Sequence, residues 1–221
     1  MGLGVSGFAA ARLLKDLGAR VRVTESAVTK AILERENLLA KEGIKVEVGG
    51  HSQGFITDTQ LFVTSPGVDR SSLPLRFAKR NKIPIIGEVE LAWTVCSGEI
   101  IAVSGTNGKT TVVSLLGEIF KKAGKRGIVC GNIGHPFSAA VRECRGCSFF
   151  ILEISSFQLE RIKNFRPKIA ILLNVSPDHL DWHQSFSSYK RAKSRLFLNQ
   201  KANDCAILIG MMIIFLLSFP G

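Results

Sequence analysis

Aromatic residues other than phenylalanine are scarce: one tyrosine and two tryptophans in 221 residues. With so few stacking side chains, and no interleaving of basic and aromatic residues, the chain lacks a platform for single-stranded bases, and nucleic acid is not expected as a partner. Blocks of like charge are missing too. Twenty-nine Lys and Arg against 18 Asp and Glu give a formal net charge of +11, which attracts nucleotides and sugar diphosphates, but the cations are scattered as on a solvated surface. Cysteines are few and odd in number: Cys96, Cys130, Cys144, Cys147 and Cys205. Cys144 and Cys147 form the one close pair, and no second pair completes a four-ligand zinc site. They are read as free thiols of a cytoplasmic protein without a signal peptide. The longest apolar stretch, Ile207 to Phe219, is shorter than the ~18 to 20 residues of a membrane span, so stable membrane insertion is not expected. Its abrupt change from Lys201 to Asp204 reads as a truncation or frameshift junction.

What the chain does contain is hydrophobic content of 46%, enough for a buried core, arranged in alternating strand and helix patterns. Helices are predicted near Phe8 to Leu17, Lys30 to Lys41 and Leu73 to Asn81, the last with Pro74 in its first turn. Strands are predicted at Arg20 to Thr24, Ile44 to Val48, Leu61 to Thr64 and Ile83 to Ile86. A connector over Glu88 to Ser97 leads into a second series: strand Ile100 to Val103, helix Thr110 to Ala123, then strands Gly127 to Val129, Phe149 to Glu153 and Ile169 to Asn174. The fold class is α/β, with a small Rossmann-like parallel-sheet domain at 1–92 and the first part of a P-loop-type ATPase domain at 93–208, followed by an anomalous apolar tail at 209–221. Met1 stands directly on a glycine loop, so the strand that should feed that loop is expected to be missing.

That loop, Gly2-Leu3-Gly4-Val5-Ser6-Gly7, has G-x-G-x-x-G spacing ahead of a helix whose free N–H groups favour a phosphate. Glu25 ends the next strand, where dinucleotide-binding folds place an acid for a ribose or base. A tight turn without a ligand is the plainer reading of three glycines, but loop, helix, strand and acid arrive in order. Ser65-Pro66-Gly67 adds a second loop on the same sheet edge.

Ser104-Gly105-Thr106-Asn107-Gly108-Lys109-Thr110-Thr111 follows a strand and opens a helix. Backbone N–H groups there can wrap a triphosphate, Lys109 can reach its terminal phosphates, and Thr110 is placed to ligate magnesium. Only two residues separate Gly105 from Gly108, where the common P-loop has four. Phosphoryl transfer also needs groups that neutralise charge. Glu153 ends an apolar strand beside the loop, and His179 lies just past another in Asn174-Val175-Ser176-Pro177-Asp178-His179. His183 follows four residues on, but no Glu follows His179, so a zinc-protease helix is excluded. Lys193 lies in a basic helix over Tyr189 to Phe197, where a solvated face is the ordinary expectation.

These residues resemble the Mur ligase family over about Gly2 to Leu208. Gly-Thr-Asn-Gly-Lys-Thr-Thr at 105–111 is shared by the whole family, folylpolyglutamate synthases included. Gly-Leu-Gly-Val-Ser-Gly at 2–7, Ser-Pro-Gly at 65–67, Gly-Asn-Ile-Gly at 131–134, Glu-Ile-Ser-Ser-Phe-Gln-Leu at 153–159 and Tyr-Lys-Arg-Ala-Lys at 189–193 resemble the branch that adds D-glutamate to UDP-N-acetylmuramoyl-L-alanine in peptidoglycan synthesis. The resemblance implies ATP and Mg2+ as cofactors, a monomer, and an acyl-phosphate route. Lys109 would steady the phosphates, with Gly105, Thr106, Asn107, Gly108, Thr110 and Thr111 around them. Thr110 and Glu153 would hold one magnesium and His179 another, and Lys193 would be carbamylated as a further metal ligand. Asn132 and Ser155 would face the muramoyl group. Gly4, Val5, Ser6, Ser65, Pro66, Gly67 and Glu25 would form the uridine-diphosphate site, Glu25 standing where an Asp is more usual. Family members continue into a third domain that is absent here, so this polypeptide alone is not expected to turn over.

Three other readings stay open on the residues. A nicotinamide-dependent dehydrogenase accounts for the first glycine loop but has no use for the Lys109-Thr110 phosphate grip. A sibling ligase would share most motifs, and a non-catalytic nucleotide-binding fragment fits them all.

Overall fold

Backbone pairing and burial divide the chain into two strand-helix series joined by one continuous core. The computed structural model describes residues 1–69, 71–144 and 146–208; the apolar tail expected at 209–221 lies outside them. The first series runs α1 (Val5–Asp16), β1 (Arg22–Glu25), α2 (Lys30–Lys41), β2 (Lys45–Val48), α3 (Gln53–Ile56), β3 (Phe62–Thr64), α4 (Leu73–Arg80) and β4 (Ile85–Gly87). Local chemistry accounts for the helix ends. Thr29 caps α2 by accepting from the Ile32 N–H, and α4 has a proline in its first turn and Lys79 and Arg80 in its last, as the helix dipole favours.

The expected single sheet is instead two parallel pairs, β1 with β2 and β3 with β4. Met1 and Gly2 bridge them. The Gly2 N–H donates to the Thr24 carbonyl, the Ser65 N–H donates to the Met1 carbonyl, and the Met1 amino group donates to the Val63 carbonyl.

Residues 88–97, read from sequence as a connector, contain the helix α5 (Glu88–Val95). Glu88, Val89, Glu90, Leu91 and Ala92 are all buried, and five buried residues in succession leave no amphipathic period over this part of the helix to betray it. Then follow β5 (Glu99–Ser104), α6 (Lys109–Lys122), β6 (Gly127–Gly131), α7 (Phe137–Glu143), β7 (Phe149–Glu153), α8 (Ser156–Leu159), β8 (Ile169–Leu172), α9 (Leu180–His183), α10 (Phe186–Ser194), a 3-10 turn at Arg195–Phe197, and β9 (Cys205–Leu208). The five strands form one parallel sheet in the order β6-β7-β5-β8-β9. Strand residues alternate between two buried faces: Ile100, Ala102, Phe150 and Leu152 join one cluster, while Ile101, Val103 and Ile151 pack with Val113 of α6 in another. This double burial explains the unbroken apolar runs in the sequence.

The larger cluster extends from Ala10 and Leu13 of α1 through Val89, Leu91 and Ala92 of α5 to Phe137 and Ala140 of α7. Polar contacts reinforce the junction: Arg142 to Asp16 at 2.6 Å, the Gly87 N–H to the Arg161 carbonyl at 3.1 Å, and the Ser138 N–H to the Glu88 carboxylate at 2.5 Å. Burial pushes the Glu88 carboxyl above its ordinary range, against the lowering effect of its Ser138 contacts. Cys144 and Cys147, expected as free thiols, are joined as a disulfide just after α7, with Cα atoms 5.5 Å apart, a separation within the normal span of such a bond. Among the described residues no helix is long and apolar enough to cross a membrane.

Candidate active site

The central strand β5 has β7 on one side and β8 on the other, so the loops leaving the carboxyl ends of these three strands meet at one edge, where open α/β sheets bind ligands. The first is the phosphate loop. Gly108 caps α6 in the left-handed region at φ 83°, a conformation that a side chain would strain. Asn174, just beyond β8, fixes the loop from outside. Its side chain accepts from the Asn107 N–H at 2.9 Å and donates to the Asn107 carbonyl at 3.0 Å, while its own carbonyl accepts from the Thr106 N–H. The Thr106 hydroxyl lies 3.1 Å from the Tyr189 hydroxyl of α10 and also accepts from the Ser176 N–H. Sequence reasoning does not single out Asn174 or Tyr189; the Asn174-Val175-Ser176-Pro177 turn after an apolar strand is the available signal.

Lys109 folds over the loop and donates to the Gly105 and Thr106 carbonyls at 2.9 and 2.8 Å. One helical position on, the Thr110 hydroxyl donates to Glu153 at 2.8 Å, and the Asn132 amide donates to the other Glu153 oxygen at 2.9 Å. Parallel pairing sets this contact, since Val103 of β5 lies opposite Glu153 of β7 and Gly131 of β6 opposite Glu153 on its far side. Glu153 is only 2% exposed. Ser155, next along, is an N-cap: its hydroxyl accepts from the Gln158 N–H, and the Gln158 side chain accepts from the Ser155 N–H in return, a capping box.

Lys193 is 2% exposed and donates to the Gly105 carbonyl at 2.8 Å. Burial pushes its amine down to about 7, and the neighbouring Lys109 cation adds to that effect while Asp178 opposes it. Tyr189 and Lys193 are both buried on α10, four residues apart and hence on one helical face. The depressed value implies a pH dependence. Between about pH 7 and the ordinary lysine range near 10.5 the unfolded chain binds a proton that the folded chain does not, so folding stability rises with pH across this window. Replacing Lys193 with Met is expected to remove that rise, as chemical denaturation at about pH 7 and about pH 10 would show; equal slopes in both proteins contradict the assignment.

His179 has a left-handed backbone at φ 50° and stands just before α9. Its ring lies 4.9 Å from that of Phe157 and its Nε2 3.5 Å from Asp178. His183, by contrast, is buried between the Ser156 hydroxyl at 3.0 Å and Glu160 at 3.1 Å. Thr110 and Glu153 are brought together, whereas His179 contacts Phe157, Tyr189 and Asp178; among the described residues no three His, Cys, Asp or Glu side chains converge as a metal cluster.

In the first series Glu25 closes back on the glycine loop, accepting from the Leu3 N–H at 2.7 Å and the Ala27 N–H at 2.9 Å. Burial works to raise its carboxyl, but these bonds and those from Ser26 outweigh it and hold the group below its ordinary value. Gly4 caps α1, with Val5 and Ser6 in the first turn. Gly7 packs so tightly on the Gly2 carbonyl that any Cβ would collide with it. The Ser65 hydroxyl reaches the Gly2 carbonyl at 3.5 Å, and Gly67 of the adjoining Ser65-Pro66-Gly67 turn has φ 78°.

Two family models match the chain in tandem: that of the Mur ligase MurD-like N-terminal domain over residues 1–87, and that of the Mur ligase middle domain over 103–214. The UDP-N-acetylmuramoylalanine–D-glutamate ligase of Koribacter versatilis is 45% identical over 208 residues, covering 94% of this chain and 46% of that protein. The protein of the same name from Caldanaerobacter subterraneus is 43% identical over 211 residues, with the same coverage. The chain thus spans about half the length of the curated relatives it matches. Among solved structures, the UDP-N-acetylmuramate:L-alanyl-gamma-D-glutamyl-meso-diaminopimelate ligase from Neisseria meningitides shares the fold, with a TM-score of 0.63 over 95% of this chain and 69% of that one at 19% identity. The phosphate loop, the Thr110-Glu153 contact and the tandem match of both models together place this chain in the Mur ligase family.

Proposed function

We propose that this chain is the front part of an ATP-dependent ligase that joins D-glutamate to UDP-N-acetylmuramoyl-L-alanine in the cytoplasm, as a monomer. The names of the relatives at 42–45% identity support this reading, and the observation that carries it is the buried Glu153 holding Thr110 and Asn132 together beside the phosphate loop. Residues 1–92 would bind the uridine diphosphate through Gly4, Val5, Ser6, Glu25 and the Ser65-Pro66-Gly67 turn. Residues 93–208 would contribute the ATP half.

In the reaction the substrate carboxylate attacks the γ-phosphorus of ATP, ADP leaves, and the amine of D-glutamate then displaces inorganic phosphate from the acyl carbon. Lys109 exchanges its loop carbonyls for the β and γ phosphates, and the loop N–H groups around Gly105 to Thr111 orient them. The Thr110 hydroxyl and Glu153 carboxylate are hard oxygen donors that fit magnesium, which would supply charge neutralisation when bound. His179 would serve a second magnesium, and Asn132 and Ser155 would face the muramoyl group. At neutral pH a large share of Lys193 is uncharged, the form in which its amine can add to CO2 with loss of a proton and become an anionic carbamate facing Lys109.

Calorimetric titration with magnesium ATP is expected to show one site. Lys109→Ala is expected to weaken it about 10- to 100-fold, the worth of hydrogen bonds to a charged group, about 1.5–3 kcal/mol. Unchanged affinity would remove Lys109 from the site.

A further inference from the structure

Cys144 and Cys147 close the turn between α7 and β7, beside the seam of the two series. On the helix side, α7 puts Phe137 and Ala140 into the cluster it shares with α1 and α5, and Arg142 pairs with Asp16 of α1. Cys144 itself caps α7, its N–H donating to the Ala140 carbonyl. The strand side is anchored without the bridge. The Ser148 and Phe149 N–H groups donate to the Arg126 carbonyl at 3.1 and 3.2 Å, and the Ser148 carbonyl accepts from the Glu99 N–H at 2.9 Å. The two sulfurs also differ in access. Cys147 is 7% exposed, whereas Cys144 is half-buried and lines a cavity of about 220 Å3 with Val95, Ser97 and Gly146. Arg142 and Asp16 pair on the same wall, so neither sign of charge prevails there to repel an incoming thiolate. As a staple the bridge is weak, because the benefit of a disulfide grows with the loop it closes and these cysteines are only three residues apart. The C-x-x-C spacing is instead that of exchange-competent pairs.

We propose that the Cys144–Cys147 bond is a redox-active site, opened by a small dithiol that enters at Cys144, and that its opening loosens α7 from the first series. A thiolate of the reductant attacks the Cys144 sulfur from the cavity. The S–S bond breaks, Cys147 leaves as a thiolate that takes a proton from water, and Cys144 is left in a mixed disulfide. The second thiolate of the reductant then displaces Cys144, which is protonated in turn, and closes the reductant's own disulfide; two electrons have passed to the protein. Since Arg126 and Glu99 hold the strand side, the freed segment is the end of α7, and with it the Arg142–Asp16 contact. This goes beyond the ligase reading and does not rest on it.

The test treats the chain with dithiothreitol in native buffer, alkylates it and reads the labels by peptide-resolved mass spectrometry, which separates this pair from the thiols of Cys96, Cys130 and Cys205. Hydrogen exchange is followed on the oxidised and reduced samples. Labels are expected at both Cys144 and Cys147 without denaturant, with roughly tenfold faster exchange over residues 140–144 and unchanged exchange in β7. The double variant Cys144→Ser, Cys147→Ser is expected to exchange like the reduced parent and to ignore dithiothreitol. With oxidised glutathione, Cys147→Ser is expected to form its mixed disulfide at Cys144 roughly tenfold faster than Cys144→Ser does at Cys147, because access controls the exchange. The proposal is overturned by a bond that is reduced only in denaturant, by two thiols that oxidised glutathione does not join, by exchange over 140–144 that reduction leaves unchanged, or by equal rates in the two single variants.

Discussion

Glu90→Ala is expected to destabilise the chain by about 2–4 kcal/mol, because it takes the acceptor from three backbone donors, that of the buried Phe165 among them. The Glu90 carboxylate, 2% exposed on α5, accepts from three consecutive N–H groups: Lys163 at 2.8 Å, Asn164 at 2.7 Å and Phe165 at 3.0 Å. Phe165 is fully buried, so its amide in particular has no route to water. The same carboxylate holds the segment ahead of β8 against α5, and thereby the strand that carries Asn174 to the phosphate loop. For a chain of this size the loss corresponds to a fall in melting temperature of roughly 5–12 °C. Glu90→Gln keeps one acceptor oxygen and is expected to lose about half as much. If Glu90→Ala melts with the parent chain, the three bonds do not hold the junction.

The largest effect on ligand binding is expected at Glu153. Its alanine variant loses the hydrogen bonds from both Thr110 and Asn132 together with the negative charge at the carboxyl end of β7. Affinity for magnesium ATP is expected to fall about 100-fold, at the upper end of what removing a supporting carboxylate costs a metal site. Glu153→Gln separates the two contributions. It can still accept from Thr110 but cannot neutralise a cation, so it is expected to resemble the alanine variant with magnesium present. With EDTA in place of magnesium, the parent chain and both variants are expected to bind ATP alike. A Gln variant that binds magnesium ATP as the parent does would make Glu153 a scaffold for Thr110 only.

Much of this arrangement is legible in one dimension. Strands such as Phe149–Glu153 and the helix Lys30–Lys41 declare themselves by length, burial period and caps, and the phosphate loop by glycines and Lys109-Thr110 between a strand and a helix. What escapes a linear reading depends on tertiary covering. α5 has its first five residues buried in succession and so shows no amphipathic stripe there; α7 is only seven residues long; β9, largely exposed, is defined by pairing with β8 rather than by an alternating pattern. Buried charges are the least legible. Glu88, Glu90 and Lys193 look like surface residues along the chain because nothing local says that a carboxylate will meet backbone donors some fifty to seventy residues away or that a lysine will meet Gly105.

The most direct test of the ligase reading is calorimetric titration of the chain with UDP-N-acetylmuramoyl-L-alanine, with NAD as the comparison, in the parent and in Glu25→Ala. The account predicts saturable binding of the uridine nucleotide, weaker binding in the variant, and none of NAD; binding of NAD in place of the uridine nucleotide would contradict it.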